Sequence, residues 1–276
     1  MLPGIVGLLA MAMTEAVVIR PVLNMYSVPG EDGSVVSQAI YASNVSILEE
    51  REGWVRIQTG DEYSGWVPAV GVRRGKYAQS GRVAMVRSLA AHLYREPNVT
   101  RHAPVLTVPY ETRLEVVAEP EAEDRRWLEV RLPDDRAAWV QRGDLSFDAR
   151  ALDVPEMIAL AKRFLGLPYT WGGTSSFGYD CSGYTQMLCR RMGRLLPRDA
   201  RPQAEWSGLT AVKKDELRPG DLLYFGAERA KISHTGVYIG NGEFIHATAH
   251  GEPVIQISRL DEPHWRDLLV ACGRLK

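Results

Sequence analysis

The stretch Tyr179-Asp180-Cys181-Ser182-Gly183-Tyr184 sets a cysteine at the opening of a helical pattern. From Cys181 the apolar residues Tyr184, Leu188 and Met192 recur at a period near that of a helix, Met187 widens the stripe, and Gly193 supplies a stop. A thiol at a helix N-terminus meets unpaired amides and the positive end of the helix dipole. With a neighbouring imidazolium, such a site takes a cysteine from about 8.5 to roughly 3.5–7.5. Thiolate at neutral pH is therefore the expectation for Cys181. Upstream, Leu167-Pro168-Tyr169-Thr170-Trp171-Gly172-Gly173 holds too many turn formers for a helix and reads as a loop beside the thiol. A lone cysteine is more often a small buried hydrophobe. That reading is kept for Cys189, inside the helix, and for Cys272, in the apolar stretch Leu268-Leu269-Val270-Ala271-Cys272.

A nucleophilic thiol needs a base and a third group that fixes the base. His234 and His246 are placed for those roles. Ile232-Ser233-His234-Thr235-Gly236-Val237-Tyr238-Ile239 and Glu243-Phe244-Ile245-His246-Ala247-Thr248 flank Gly240-Asn241-Gly242, a strong hairpin signal. A two-residue Asn241-Gly242 turn would pair Val237 with His246 and put the imidazoles on opposite faces. A three-residue Gly240-Asn241-Gly242 loop would pair Gly236 with His246 and put both rings on one face, with Gly236 leaving room between them. Only the second register allows a triad. His92, His102, His250 and His264 are read as ordinary core or surface histidines. The spacings of Cys181, His234 and His246 match no short zinc pattern and no C-x-x-C pair exists, so neither metal nor other cofactor is expected.

Tyr169-Thr170-Trp171-Gly172-Gly173, Asp180-Cys181-Ser182-Gly183, Leu196-Pro197-Arg198-Asp199-Ala200, Gly220-Asp221-Leu222-Leu223-Tyr224-Phe225 and the two histidine strands follow one another in an order and spacing that resemble the NlpC/P60 family over residues 151–276. The resemblance implies a papain-like α+β domain that hydrolyses cell-wall peptides, typically between γ-D-glutamate and a diamino acid. It implies Cys181 as nucleophile, His234 as base, His246 as orienting residue and Tyr169 as an aromatic hydroxyl beside the oxyanion site. The side chains of Asp180, Ser182 and Asp199 fall where such enzymes bind substrate.

Ahead of this domain the chain repeats itself. Met25-Tyr26, Gly53-Trp54-Val55-Arg56-Ile57 and Gly65-Trp66-Val67 recur as Leu93-Tyr94, Arg126-Trp127-Leu128-Glu129-Val130 and Ala138-Trp139-Val140, with the same separation between the paired tryptophans. Short alternating segments punctuated by Gly, Pro and Asp argue for two small β-barrels, over residues 17–76 and 83–148. Their pattern resembles bacterial SH3 (SH3b) domains, and Trp54 and Trp127 are expected in the barrel cores. A helix beginning near Asp153 and Pro155, with Met157, Ile158, Ala161, Phe164 and Leu165 on one face and Gly166 at its end, opens the third domain. So little linker separates the modules that they are expected to dock.

Two such barrels before an NlpC/P60 domain resemble the γ-D-glutamyl-L-diamino acid endopeptidases of murein-peptide recycling. In that group the first barrel covers part of the site and admits substrates with a free N-terminal L-Ala. Tyr63 in Tyr63-Ser64-Gly65-Trp66 matches the tyrosine of the barrel's Tyr-x-Gly-Trp segment. The chain departs from the group at Ala200, where a serine often follows the aspartate, and no barrel acid stands out as partner of the substrate amine.

Thirty-three basic and 34 acidic side chains give a net charge of −1, and no basic run is interleaved with aromatics, so nucleic acid is not an expected partner. Apolar residues make up 45 % of the chain, enough for a sizeable core. Residues 1–16 form an apolar N-terminal segment. Its core, Leu2 to Met13, has no preceding Lys or Arg and is too short to span a bilayer, so it reads either as a degenerate export signal or as an element packed on a barrel. Three cysteines, one needed as a free thiol, give no disulfide framework and favour a reducing compartment. The expected location is cytoplasmic, with the cell envelope as the alternative. The expected partner is a murein-derived peptide. Competing readings are an envelope hydrolase of intact murein with wall-binding barrels, and a catalytically dead wall-binding adaptor.

Overall fold

The computed structural model describes residues 14–120, 125–148 and 150–276; the apolar run of residues 2–13 lies outside the described residues. The first unit is an antiparallel seven-stranded sheet of β1 (Thr14–Val18), β2 (Val22–Tyr26), β3 (Val35–Ile40), β4 (Asn44–Arg51), β5 (Trp54–Gln58), β6 (Ser64–Pro68) and β7 (Val72–Arg74), in the order β3-β2-β6-β5-β4-β1-β7. Its first strand starts at Thr14, ahead of the expected boundary at residue 17. Alternation along these strands sends Val18, Met25, Ile57 and Val67 into one core.

The second unit comprises β8 (Arg82–Val86), β9 (Ala90–Leu93), β10 (Leu106–Pro109), β11 (Arg113–Ala118), β12 (Trp127–Arg131), β13 (Ala137–Gln141) and β14 (Leu145–Ser146). Five of them form the sheet β13-β12-β11-β8-β14, and β9 and β10 form a ribbon. The sequence repeat reappears as a repeated contact. Tyr26 meets Trp54 edge to face at 5.6 Å, and Tyr94 meets Trp127 the same way at 5.6 Å. Tyr26 also pairs with Trp66, and Tyr94 with Trp139. Trp127 is fully buried, whereas Trp54 is only half-buried and rests on the rim rather than in the core. Val17, Tyr41, Ala42 and Tyr77 of the first unit lie in the same apolar cluster as Leu93, Leu114 and Val130 of the second, so the two units share a core.

The third unit starts with α1 (Val154–Lys162), fixed by a reciprocal capping box between Asp153 and Glu156 with Pro155 in the first turn. Met157, Ala161 and Phe164 are buried beneath it, but Leu165 is 42 % exposed and leaves the expected face, because the chain has already turned toward Gly166, at φ +83°. The short ribbon β15 (Thr174–Ser175) and β16 (Gly178–Tyr179) leads into α2 (Cys181–Arg191), followed by α3 (Ala200–Ala204). A six-stranded antiparallel sheet, ordered β17-β22-β18-β19-β20-β21, completes the unit from β17 (Leu209–Ala211), β18 (Leu222–Gly226), β19 (Ile232–Gly240), β20 (Glu243–Ala247), β21 (Ile255–Arg259) and β22 (Leu269–Leu275). One core joins Met157, Phe164, Tyr184 and Leu188 of the helical layer to Val237 and Ile245 of the sheet. On the other side α4 (Pro263–Leu268) sets Trp265 against Leu223, Phe225 and Phe244. The chain is thus a mixed α/β protein: a β-rich N-terminal region and a C-terminal domain in which one helix packs its first residue, Cys181, toward a sheet.

Candidate active site

The hairpin of β19 and β20 brings the two histidines together by a route that differs from the expected one. The ladder runs Val237 opposite Ile245 and Tyr238 opposite Phe244, then shifts so that Gly240 faces Glu243. The turn is therefore the two-residue Asn241-Gly242, both at positive φ (+54° and +76°), not a three-residue loop. A bulge at Ile239 supplies the compensating step. Continued past Val237, the ladder sets Gly236 beside His246, where a Cβ on Gly236 would come within 3.0 Å of the His246 Cβ. His234 and His246 consequently share a face, and His234 Nε2 and His246 Nδ1 are 2.7 Å apart.

His246 is fully buried and its Nε2 lies 3.0 Å from Ser258 Oγ on β21. The Trp265 indole stacks on His234 at 5.0 Å and meets His246 edge-on at 4.7 Å, which fixes both rings. Since Nε2 of His234 is taken, Nδ1 is its remaining ring nitrogen. Cys181 Sγ lies 4.0 Å from the Ser233 carbonyl, beside the backbone that carries His234. In this resting geometry the thiol's hydrogen bond goes to that carbonyl. Tyr169, in the loop expected beside the thiol, is bridged to Tyr179, and its hydroxyl ionisation is pushed up by burial and then by Cys181 and Asp180. His250 and His264 stack on one another at 3.7 Å against Trp265, so they line the outer side of the same aromatic wall.

The protonation state overturns one expectation. Burial, then the Asp180 carboxylate, pushes the Cys181 thiol up to about 12; the amides of Thr235 and Ser182 act in the opposite direction but do not win. Burial, then His264 and His250, pushes His234 down to about 3, and burial with the surrounding imidazoles pushes His246 well below 6.5. The helix dipole is outweighed because the sulfur is dry, its nearest charge is an anion, and the imidazole beside it is neutral. Burial thus disfavours the charged form of both the Cys181 thiol and the His234 imidazole at rest.

Two buried neutral histidines also make the fold acid-sensitive. Their folded pKa values lie below the unfolded one, so the native state binds fewer protons than the unfolded chain. The stability they contribute is present above pH 6.5 and is lost as pH falls toward 3. Each histidine held neutral is expected to cost about 1.4 kcal/mol per pH unit below 6.5. Urea midpoints at pH 7 and pH 5 measure this, and His246→Gln should flatten the dependence. An equal slope in that variant would remove His246 as a cause.

Behind Cys181 sits a buried ion pair. Asp180 caps α2 by accepting from the Gly183 amide at 2.7 Å. Arg198, with 1 % of its side chain exposed, donates to both Asp180 oxygens at 3.1 and 2.6 Å, to Ser182 Oγ at 2.9 Å, and to Ser37 Oγ of β3 at 3.0 Å. Ser182 in turn donates to Asp180. Asp180 is thereby paired with Arg198, and Ser182 is engaged in the same network. Asp199 is different: among the described residues only the Tyr63 hydroxyl donates to its side chain, at 3.2 Å, and burial raises its pKa despite Arg198. Burial and Asp199 in turn push Tyr63 up to about 12. Removing one partner of a buried pair strands the other charge, so Arg198→Ala is expected to lower the unfolding free energy by about 3–5 kcal/mol. Arg198→Lys, which keeps the charge and loses the planar fork, should fall between. A urea midpoint within error of the parent for Arg198→Ala would show the pair to be dispensable.

The first barrel closes on this region through several direct bonds. Trp171 Nε1 donates to the Val35 carbonyl at 3.0 Å, Thr174 Oγ1 to the Gln38 carbonyl at 3.1 Å, and Gln186 Nε2 to Asp61 at 2.9 Å. Sequence reasoning missed Arg198, Ser37, Ser258 and Trp265. Arg198 stood inside a quoted motif, Pro197-Arg198-Asp199, and a charged residue amid turn formers next to a buried helix start was the available signal.

Comparison with known proteins gives the arrangement its relatives. The NlpC/P60 family pattern matches residues 166–274, and that of the bacterial dipeptidyl-peptidase Sh3 domain matches residues 25–71. A γ-D-glutamyl-L-lysine dipeptidyl-peptidase of Bacillus cereus is 32 % identical over 82 % of this chain and 71 % of its own. One of Bacillus subtilis with the same name is 27 % identical over 88 % of this chain and 82 % of its own. The crystal structure of an NlpC/P60 family protein from Bacillus cereus superposes with a TM-score of 0.81 over 95 % of this chain and 99 % of that one, at 24 % identity, and shares its fold. The 32 % identity to the Bacillus cereus relative across most of both chains, together with a family match that spans Cys181, His234 and His246, makes this chain a member of the NlpC/P60 family.

Proposed function

We propose that the protein is a cysteine endopeptidase that hydrolyses the γ-D-glutamyl–diamino acid bond of short peptidoglycan peptides bearing a free N-terminal L-Ala. The observation that carries this reading is the Tyr63–Asp199 hydrogen bond, which joins the first barrel to the catalytic domain one residue from Arg198, the partner of Asp180 beside Cys181. A barrel seated there would bound the substrate on one side, and a half-buried carboxylate with a single donor among the described residues is suited to an ammonium group. The activity for which the Bacillus relatives are named is of the same class.

In the proposed reaction, Nδ1 of His234 takes the Cys181 proton as sulfur attacks the γ-carbonyl carbon of D-glutamate. His246 holds the imidazolium through Nε2, and the Tyr169 hydroxyl and backbone amides at the start of α2 face the developing oxyanion. His234 then returns the proton to the diamino acid nitrogen, the C–N bond breaks, and a thioester remains. Water, deprotonated by His234, adds to the thioester and releases the dipeptide and the thiol.

Mass spectrometry after incubation with L-Ala-γ-D-Glu-L-Lys, its N-acetylated form and an intact sacculus tests the reading. The free tripeptide should be cut, the acetylated one at least about 10-fold more slowly, since a buried carboxylate loses a charged partner. Tyr63→Phe and Asp199→Asn should narrow that difference. Equal rates on the tripeptide and the sacculus would favour the envelope hydrolase instead.

A further inference from the structure

We infer that Ser258 is a positioning residue for the catalytic histidine, the terminal acceptor of a chain Cys181–His234–His246–Ser258 that fixes which nitrogen of each imidazole carries hydrogen. The inference rests on the cysteine-peptidase reading above and extends it by one residue. It stands on two contacts, His234 Nε2 to His246 Nδ1 at 2.7 Å and His246 Nε2 to Ser258 Oγ at 3.0 Å.

The polarity of this chain follows from counting hydrogens. A neutral imidazole has one N–H and one bare nitrogen, and an imidazolium has two N–H groups. Once His234 has taken the thiol proton, its Nε2 must donate, so His246 Nδ1 must accept. His246 is fully buried and held neutral, so its only hydrogen then sits on Nε2. That N–H points at the Ser258 hydroxyl, which must act as acceptor. The opposite polarity, with Ser258 donating, would put hydrogen on His234 Nδ1, the only nitrogen of that ring left to serve Cys181. A base in that form cannot take a proton. Ser258 is itself buried, at 7 % exposure, and lies opposite Phe244, two residues along the strand from His246. Without its oxygen the His246 N–H has no partner among the described residues.

The test combines kinetics with a direct view of the tautomers. Nitrogen-15 NMR of the histidine-labelled parent at neutral pH should show His246 and His234 both protonated on Nε2. On L-Ala-γ-D-Glu-L-Lys, Ser258→Ala and Ser258→Val should lower kcat about 10- to 100-fold, the effect of stranding one buried donor. KM should be little changed. The acid limb of the pH–rate profile, set by protonation of the His234 base, should move to lower pH, because the His234 imidazolium loses support. Ser258→Thr, which has the shape of valine and keeps the oxygen, should recover most of the parent rate and its limb. A His246 hydrogen found on Nδ1 in the parent, or Thr and Val variants with the same kcat and pH profile, overturns the proposal. If both substitutions unfold the domain, the NMR spectrum of the parent alone decides. If the peptide is not cleaved at all, the enzymatic reading fails, while the tautomer measurement still reports on Ser258.

Discussion

Cys181→Ala is expected to abolish turnover, by about 10⁴-fold or more, while leaving the protein folded. The size of the loss follows from the thiol's position as the one group able to form the thioester; removing a nucleophile costs about as much as removing a whole triad. Serine should fare no better, because its hydroxyl is far harder to ionise and the Cys181 environment already disfavours an anion through burial and Asp180. The fold should survive, since the thiol donates only a long hydrogen bond among the described residues, 4.0 Å to the Ser233 carbonyl, and a thiol and a hydroxyl differ little in volume. Steady-state release of the diamino acid, with a thermal melt as control, checks both halves. A variant of parent activity that a chelator stops would make this a metal enzyme.

His246→Ala should lower kcat by about 10²- to 10⁴-fold with little change in KM, the range seen when the orienting member of a triad is lost or mis-tautomerised. In the proposed mechanism it accepts from His234 Nε2, 2.7 Å from its Nδ1, and supports the charge that ring acquires. An amide oxygen can accept there too, so His246→Asn and His246→Gln should lose less. Full activity in His246→Ala would remove it from the site, and equal loss in all three variants would point to packing against Trp265 rather than to the hydrogen bond.

Cys181 and the two histidines were legible in the chain because each lies in a local pattern: a helical stripe, and two alternating strands around a turn. The shared face of the histidines was legible as well, though by a different turn. Register depends on the sum of turn length and bulge, and a bulge at Ile239 has no signature in an apolar strand. The repeat was legible in its tyrosine and tryptophan positions, though not in the contacts those rings make. Arg198 was not, because its partners Asp180 and Ser37 lie 18 and 161 positions away and a buried ion pair has no periodicity. The thiol's protonation was misjudged for a related reason: the helix dipole is visible in a sequence, whereas the dryness of the sulfur and the neutrality of His234 arise only from packing.

The core shared by Val17, Tyr41 and Tyr77 with the second barrel, and the reach of Ser37 into the Arg198 ion pair, bear on how the molecule comes apart. Three modules joined only by linkers would melt as three transitions. Here the first barrel cannot loosen without exposing apolar surface in its neighbour and withdrawing the Ser37 hydroxyl from the buried Arg198–Asp180 pair. Calorimetry should therefore record one cooperative transition, and the loss of peptide specificity, the loss of catalysis and the unfolding of the chain should coincide on heating.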